Sequence, residues 1–250
     1  MKGAAHIGVL QALLDNGIKP DIICGASAGS IAGVMYADGL QSEEILYVLA
    51  HIQASKVFRP SLSLRSLAKH SFLKELLSAH ISANNLEELS IPVIVAVSNL
   101  NTGYAEYHSE GAIEEIVAAS SCIPIIFDPV NIGGNMYVDG GLLDNMPVKP
   151  LVELCENIIG VNLISMLPLQ QTDLGNAVAM SERIFDMLVV NNTEDNYHLC
   201  DMIINPPEIM NYGVFGFKNG HALYEIGYNA TMAEIDKIKF MLSSAGSKSS

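Results

Sequence analysis

Ser27 and Asp139 are the two residues whose surroundings could support covalent chemistry. Ser27 lies in Gly25-Ala26-Ser27-Ala28-Gly29, between an apolar run, Pro20-Asp21-Ile22-Ile23-Cys24, and a helix-compatible run from Ser30 to Tyr36. A serine flanked by glycines at a strand-to-helix turn can be a nucleophile elbow. Its tight backbone pushes the hydroxyl outward, and the glycines let strand and helix approach without a Cβ clash. Such a hydroxyl suits acyl transfer, provided that a base takes its proton. Asp139 is the leading base: it follows the short run Asn135-Met136-Tyr137-Val138 and precedes Gly140 and Gly141, which let the chain turn and leave the carboxylate at a sheet edge. An Asp-Gly-Gly is by itself an ordinary turn. An aspartate of ordinary pKa, about 3.9, is also a poor base, so alignment with the hydroxyl must supply most of the rate.

The elements that would hold these residues alternate between helix and strand. A helix is predicted over Gly3–Asp15, left through Asn16-Gly17, and another after Ser27. The β-branched run from Ile91 to Val97 predicts a strand covered on both faces, with Asn101-Thr102-Gly103 turning into a segment from Tyr104 to His108. Residues 112–120 read as a helix, 135–138 as a strand and 158–164 as a buried strand. Helices around 174–195 and 221–242 flank a strand at Met202-Ile203-Ile204. This alternation predicts an α/β three-layer sandwich with a mostly parallel central sheet. Residues 1–242 form one domain on this reading, with 243–250 a flexible tail.

Composition narrows the function. The chain has 250 residues, 13 basic against 27 acidic, for a formal charge of -14. Such a surface repels a phosphate backbone, so nucleic acid is not an expected partner. The four cysteines, Cys24, Cys122, Cys155 and Cys200, have no zinc-ligand spacing and read as small core residues. No apolar run approaches the roughly 20 residues that span a bilayer. The segment from Lys56 to Lys74 carries five of the basic residues and no acid, with leucines and Phe72 between them. Residues 56–81 could therefore touch an anionic membrane surface or cap an acyl-binding cleft, or could simply pack on the core.

Several stretches together resemble the patatin-like phospholipase family. They are Lys2-Gly3-Ala4-Ala5-His6-Ile7-Gly8-Val9-Leu10, Gly25-Ala26-Ser27-Ala28-Gly29-Ser30, Ala118-Ala119-Ser120-Ser121-Cys122-Ile123-Pro124, Tyr137-Val138-Asp139-Gly140-Gly141 and Leu142-Leu143-Asp144-Asn145-Met146-Pro147-Val148. The similarity covers roughly residues 1–165. It implies a lipid acyl hydrolase with a Ser-Asp dyad, Ser27 as nucleophile and Asp139 as general base, working through an acyl-enzyme without metal or organic cofactor. The Ala28 N–H would supply one oxyanion donor.

Proteins of that family begin with a strand and a Gly-Gly-Gly-x-Lys/Arg-Gly loop that completes the oxyanion hole. In this chain Met1 takes the variable position, Lys2 the basic one and Gly3 the last glycine. The expectation is that Met1 is an internal methionine of a longer natural chain. Without the first strand, sheet edges should be exposed and favour self-association. A missing oxyanion donor costs about a hundredfold to a thousandfold in turnover, which leaves a catalytically impaired lipid-binding protein as the alternative. A scaffold that only makes protein contacts is a third class, with no residue in its favour.

Seven histidines offer conventional bases. His198 and His221 follow Asp139 and would permit a Ser, Asp, His order, whereas His6 reads as a packing or hydrogen-bonding residue near the site. Lipid or ester substrates are the expected partners, and a chain with no clear export signal is expected in the cytoplasm.

Overall fold

The computed structural model of the protein describes residues 3–50, 71–164, 166, 168–212 and 219–245. The chain opens with helix α1 (Gly3–Asp15), strand β1 (Ile23–Gly25), α2 (Ala28–Ala37) and α3 (Ser42–Ala50). After α4 (Ser71–His80) come β2 (Val93–Asn99), β3 (Ala105–His108), α5 (Ile113–Ser120), β4 (Val130–Ile132), β5 (Asn135–Asp139) and the single turn α6 (Gly141–Asp144). The remainder contributes β6 (Ile159–Val161), α7 (Ala177–Asp195), β7 (Met202–Ile204) and α8 (Gly220–Ala245).

Strand β2 is the axis of the fold, and all seven of its residues are buried. Val93, Val95 and Val97 face the main core, built with α1, α2, α3 and α5. Ile94 faces a second cluster with Met146, Val148, Leu151 and Ile158. Alternate side chains thus enter cores on opposite faces of one strand, as a three-layer α/β sandwich requires. Parallel pairing joins β1 to β2, with Cys24 opposite Ile94, and β6 to β7. The flank of β3, β4 and β5 pairs antiparallel, Val97 lying opposite Asp139. The β4–β5 hairpin turns through Gly133 and Gly134, both at positive φ, a conformation open to glycine at no steric cost.

Helix α1 lies against α8 through two glycines. A Cβ on Gly8 would fall 2.0 Å from the Tyr224 carbonyl oxygen, and one on Gly227 would fall 2.0 Å from that of Ala5. No larger residue fits there, so this contact fixes the helix that precedes the elbow.

The structure revises two expectations and bears on part of a third. The run 158–164 yields only three strand residues, because its partner β7 is equally short. Helix α8 continues through Ala245, past the point where a tail was expected; the Ser243 and Ser244 hydroxyls bond the Phe240 carbonyl and extend its last turn. Of the basic segment, residues 56–70 lie outside the described residues. The part in α4 turns Phe72 and Leu73 onto the main core and pairs Lys74 with Glu115 at 3.5 Å.

Candidate active site

The elbow forms as its glycines require. Ser27 adopts φ 49° and ψ -120°, a conformation that costs a residue with a Cβ roughly 1–3 kcal/mol and persists only where its surroundings hold it. A Cβ on Gly25 would lie 2.7 Å from the Gly29 carbonyl carbon, which explains the glycine two residues before Ser27. A Cβ on Gly29 would stand 3.6 Å from His6 Nε2. Ala28 opens α2, and Gly3, the first residue of α1, packs on it: a Cβ there would stand 3.5 Å from the Ala28 carbonyl oxygen.

Asp139 is held as tightly. Asp139 ends β5, its carbonyl accepting from the Ser98 hydroxyl (2.8 Å) and its N–H donating to the Cys122 carbonyl (2.9 Å). Gly140 touches β2, where a Cβ would sit 2.1 Å from the Ala96 carbonyl oxygen. The Gly141 N–H donates to Asp139 Oδ1 at 2.8 Å. Ser27 Oγ donates to Asp139 Oδ2 at 2.8 Å, so residues 112 positions apart meet within hydrogen-bonding reach. Asp139 is 1% exposed. Burial pushes its carboxyl up to about 7, against the opposing pull of the Ser27 and Gly141 hydrogen bonds.

Both residues line a cavity of about 1280 Å³, which also takes in Phe72 and Leu73 of α4 and the strand residues 22–25 and 158–161. Its walls are predominantly apolar, as an acyl chain would need. Among the described residues, β1 is paired with β2 alone and β6 with β7 alone, and the cavity lies between them. His6 is the one histidine among its described lining residues. Burial lowers the His6 pKa to about 4, so its ring is neutral at pH 7.

Of the remaining expected residues, Lys2 lies outside the described residues. His198 and His221 are exposed and do not line the cavity. No described helix is long and apolar enough to cross a membrane. Sequence reasoning missed Ser98 and Ser120, which bind the backbones of Asp139 and Ser27. Ser120 stood inside a quoted motif, but nothing in its residue type distinguished it from Ser121.

A family model for patatin-like phospholipases matches residues 1–152, well over half of the chain. The chain belongs to the patatin-like phospholipase family. An uncharacterized NTE family protein of Mycobacterium bovis is 28% identical over 152 residues, covering 60% of this chain and 42% of that protein. A protein of Emericella nidulans named lysophospholipase nte1 is 25% identical over 95% of this chain and 18% of its own length. A lysophospholipase NTE1 of Cryptococcus neoformans is 30% identical over 71% of this chain and 11% of its own length. The patatin-like chain therefore spans less than half the length of these relatives. Among solved structures, VipD of Legionella pneumophila superposes with a TM-score of 0.61 at 16% identity, covering 94% of this chain and 65% of that one, a likeness of fold alone.

Proposed function

We propose that this protein is a serine acyl hydrolase of lipid esters, with Ser27 as nucleophile and Asp139 as its base. The observation that carries the reading is the 2.8 Å hydrogen bond from Ser27 Oγ to a buried aspartate at an apolar cavity. In the first half-reaction Asp139 accepts the Ser27 proton while Oγ bonds to the ester carbonyl carbon. The tetrahedral oxyanion then collapses, and the alcohol departs with the proton from Asp139. Water, deprotonated by the same carboxylate, attacks the acyl-enzyme and releases the fatty acid and Ser27. A base near pKa 7 suits this relay, since it is partly free to accept a proton at neutral pH yet acidic enough to return it.

The Ala28 N–H, at the start of a ten-residue helix and next in sequence to the nucleophile, would serve as an oxyanion donor. Gly3 packs on Ala28, where a Cβ on it would stand 3.5 Å from the Ala28 carbonyl oxygen. Phospholipids and lysophospholipids are the favoured substrates, because the family and two fungal relatives are named for them. The Ser27 and Asp139 carboxyl chemistry needs no metal or organic cofactor.

A fluorophosphonate probe tests the reading. Covalent labelling at Ser27, absent from Ser27→Ala and accompanied by release of fatty acid from lysophosphatidylcholine, is the expected result. Hydrolysis that survives Ser27→Ala would overturn it. Retention of lipid without labelling or hydrolysis would leave a lipid-binding protein instead.

A further inference from the structure

We propose that Ser120 is a positioning residue that sets the distance between nucleophile and base, an inference that rests on the Ser27–Asp139 reading above. Ser120 is the last residue of α5 and fully buried. Its Oγ stands 2.9 Å from the Ser27 backbone nitrogen and 2.7 Å from the Ala96 carbonyl oxygen of β2. A carbonyl can only accept, so the single hydroxyl proton goes to Ala96. The Ser120 lone pairs then remain for the Ser27 N–H, and the direction of both bonds is fixed.

The main chain of the same residue reaches the base. The Ser120 carbonyl accepts from the Gly140 N–H at 3.1 Å, and two residues on the Cys122 carbonyl accepts from the Asp139 N–H at 2.9 Å. Carbonyls at the C-terminal end of a helix lack partners within the helix and need them elsewhere. Here the turn that carries Asp139 supplies them. One helix end thus holds the backbone of the nucleophile by a side chain and the backbone of the base by its carbonyls, with β2 as the common anchor.

The elbow needs such a partner. Ser27 precedes α2 with a left-handed φ, and its own side chain, committed to Asp139, makes no capping bond to the helix. Without the Ser120 hydroxyl, the Ser27 N–H would lack an acceptor, and its backbone would be free to relax away from the strained conformation that aims Oγ at Asp139. Relaxation of about 1 Å is enough to cost a hundredfold in rate.

The test compares Ser120→Ala, Ser120→Cys and Ser120→Thr with the wild type, with turnover normalised to Ser27 sites titrated by a fluorophosphonate. Ala and Cys lose the oxygen acceptor, Cys with little change of volume, whereas Thr keeps it. The expected result is a ten- to hundredfold fall in kcat for Ala and Cys, KM within about twofold, and recovery in Thr. The acidic limb of the pH profile should also move upward in Ala and Cys, because the Ser27 hydrogen bond that favours ionised Asp139 is weakened. A purely structural role would change the number of titratable sites and leave turnover per site and the limb unmoved. Wild-type turnover per site in folded Ser120→Ala or Ser120→Cys would overturn the proposal alone. A wild type that is not labelled at Ser27 would sink the dyad, and this inference with it.

Discussion

Two carboxylates five residues apart, Asp139 and Asp144, are both buried at the same strand-to-helix junction, yet they have opposite surroundings. Asp139 has a hydroxyl and one backbone N–H as partners and faces the cavity. Asp144 accepts from Tyr107 Oη at 2.5 Å and Asn196 Nδ2 at 2.7 Å, with Lys149 Nζ at 3.8 Å, and does not line the cavity. Burial raises both carboxyls, but Tyr107, Lys149 and Asn196 pull Asp144 back. Asp144 in turn holds the Tyr107 phenol protonated, adding to the effect of its burial. The difference teaches what a buried carboxylate needs in order to react: a partner able to surrender a proton usefully, and space beside it for the third reactant. Asp144 has neither, and serves as a staple. Through Asn196, whose amide also reaches the Met146 carbonyl, and Asn192, which grips Gly141 and Leu142, the segment following Asp139 is tied to α7 and the turn after it.

The sharpest way to break this comparison is Asp139→Asn. Turnover should fall by about 10²- to 10⁴-fold, the usual contribution of a general base. In the wild type kcat/KM should lose tenfold per pH unit below about 7 as Asp139 takes up its proton. Ser27, the Gly141 N–H and the Cys122 thiol are the groups that surround this titration, and the thiol is itself held protonated by burial and by Asp139.

Stability should move the other way. The unfolded aspartate ionises near the ordinary carboxylate value of 3.8 while the folded one holds its proton to about 7. Stability contributed by neutral Asp139 is therefore fully present below pH 3.8, falls as pH rises through 7 and is level above. Asparagine carries no such penalty. Its melting temperature relative to the wild type should rise by roughly 7–15 °C between pH 4 and pH 8 at ~2–4 °C per kcal/mol. An offset that does not change with pH would contradict the burial argument.

Asp144→Ala is the complementary change. Leaving Tyr107, Asn196 and Lys149 without their shared acceptor should cost about 2–4 kcal/mol in a denaturant titration. Turnover per titrated Ser27 should stay within a few-fold. Loss of turnover as deep as that of Asp139→Asn would erase the distinction between base and staple.

The difference in legibility between these two sites is physical. Ser27 and Asp139 could be read because their flanking glycines are demanded by contacts that leave no space for a side chain: Gly25 against Gly29, Gly140 against Ala96. The boundaries of α1 and the two-sided burial of β2 were legible from periodicity and β-branching. Asp144 was quoted only as part of a motif, since its partners Tyr107 and Asn196 come from 37 and 52 residues away and no local pattern joins them. Ser120 and Ser121 are adjacent and chemically identical, yet the first makes two hydrogen bonds while the hydroxyl of the second is buried without a partner among the described residues. The direction of a side chain at the end of a helix decides that, and residue type does not carry it. Strand β4 escaped notice although Gly133-Gly134 marked its hairpin; its three residues are too short to show alternation.

The smallest expected effects belong to the histidines. His221 stands on α8 with its side chain 84% exposed, 4.0 Å from Glu225 one turn on, and such an exposed pair contributes at most a few tenths of a kcal/mol. His198 is exposed in the turn before β7. Neither lines the cavity that holds Ser27. His198→Ala and His221→Ala should therefore each leave kcat and KM within about twofold of the wild type and the acidic limb in place. A triad would behave differently, because losing the imidazole that relays the proton costs orders of magnitude. A large loss in either variant would mean that the imidazole reaches Ser27 during turnover, and Asp139 would then be the residue that orients a base rather than the base.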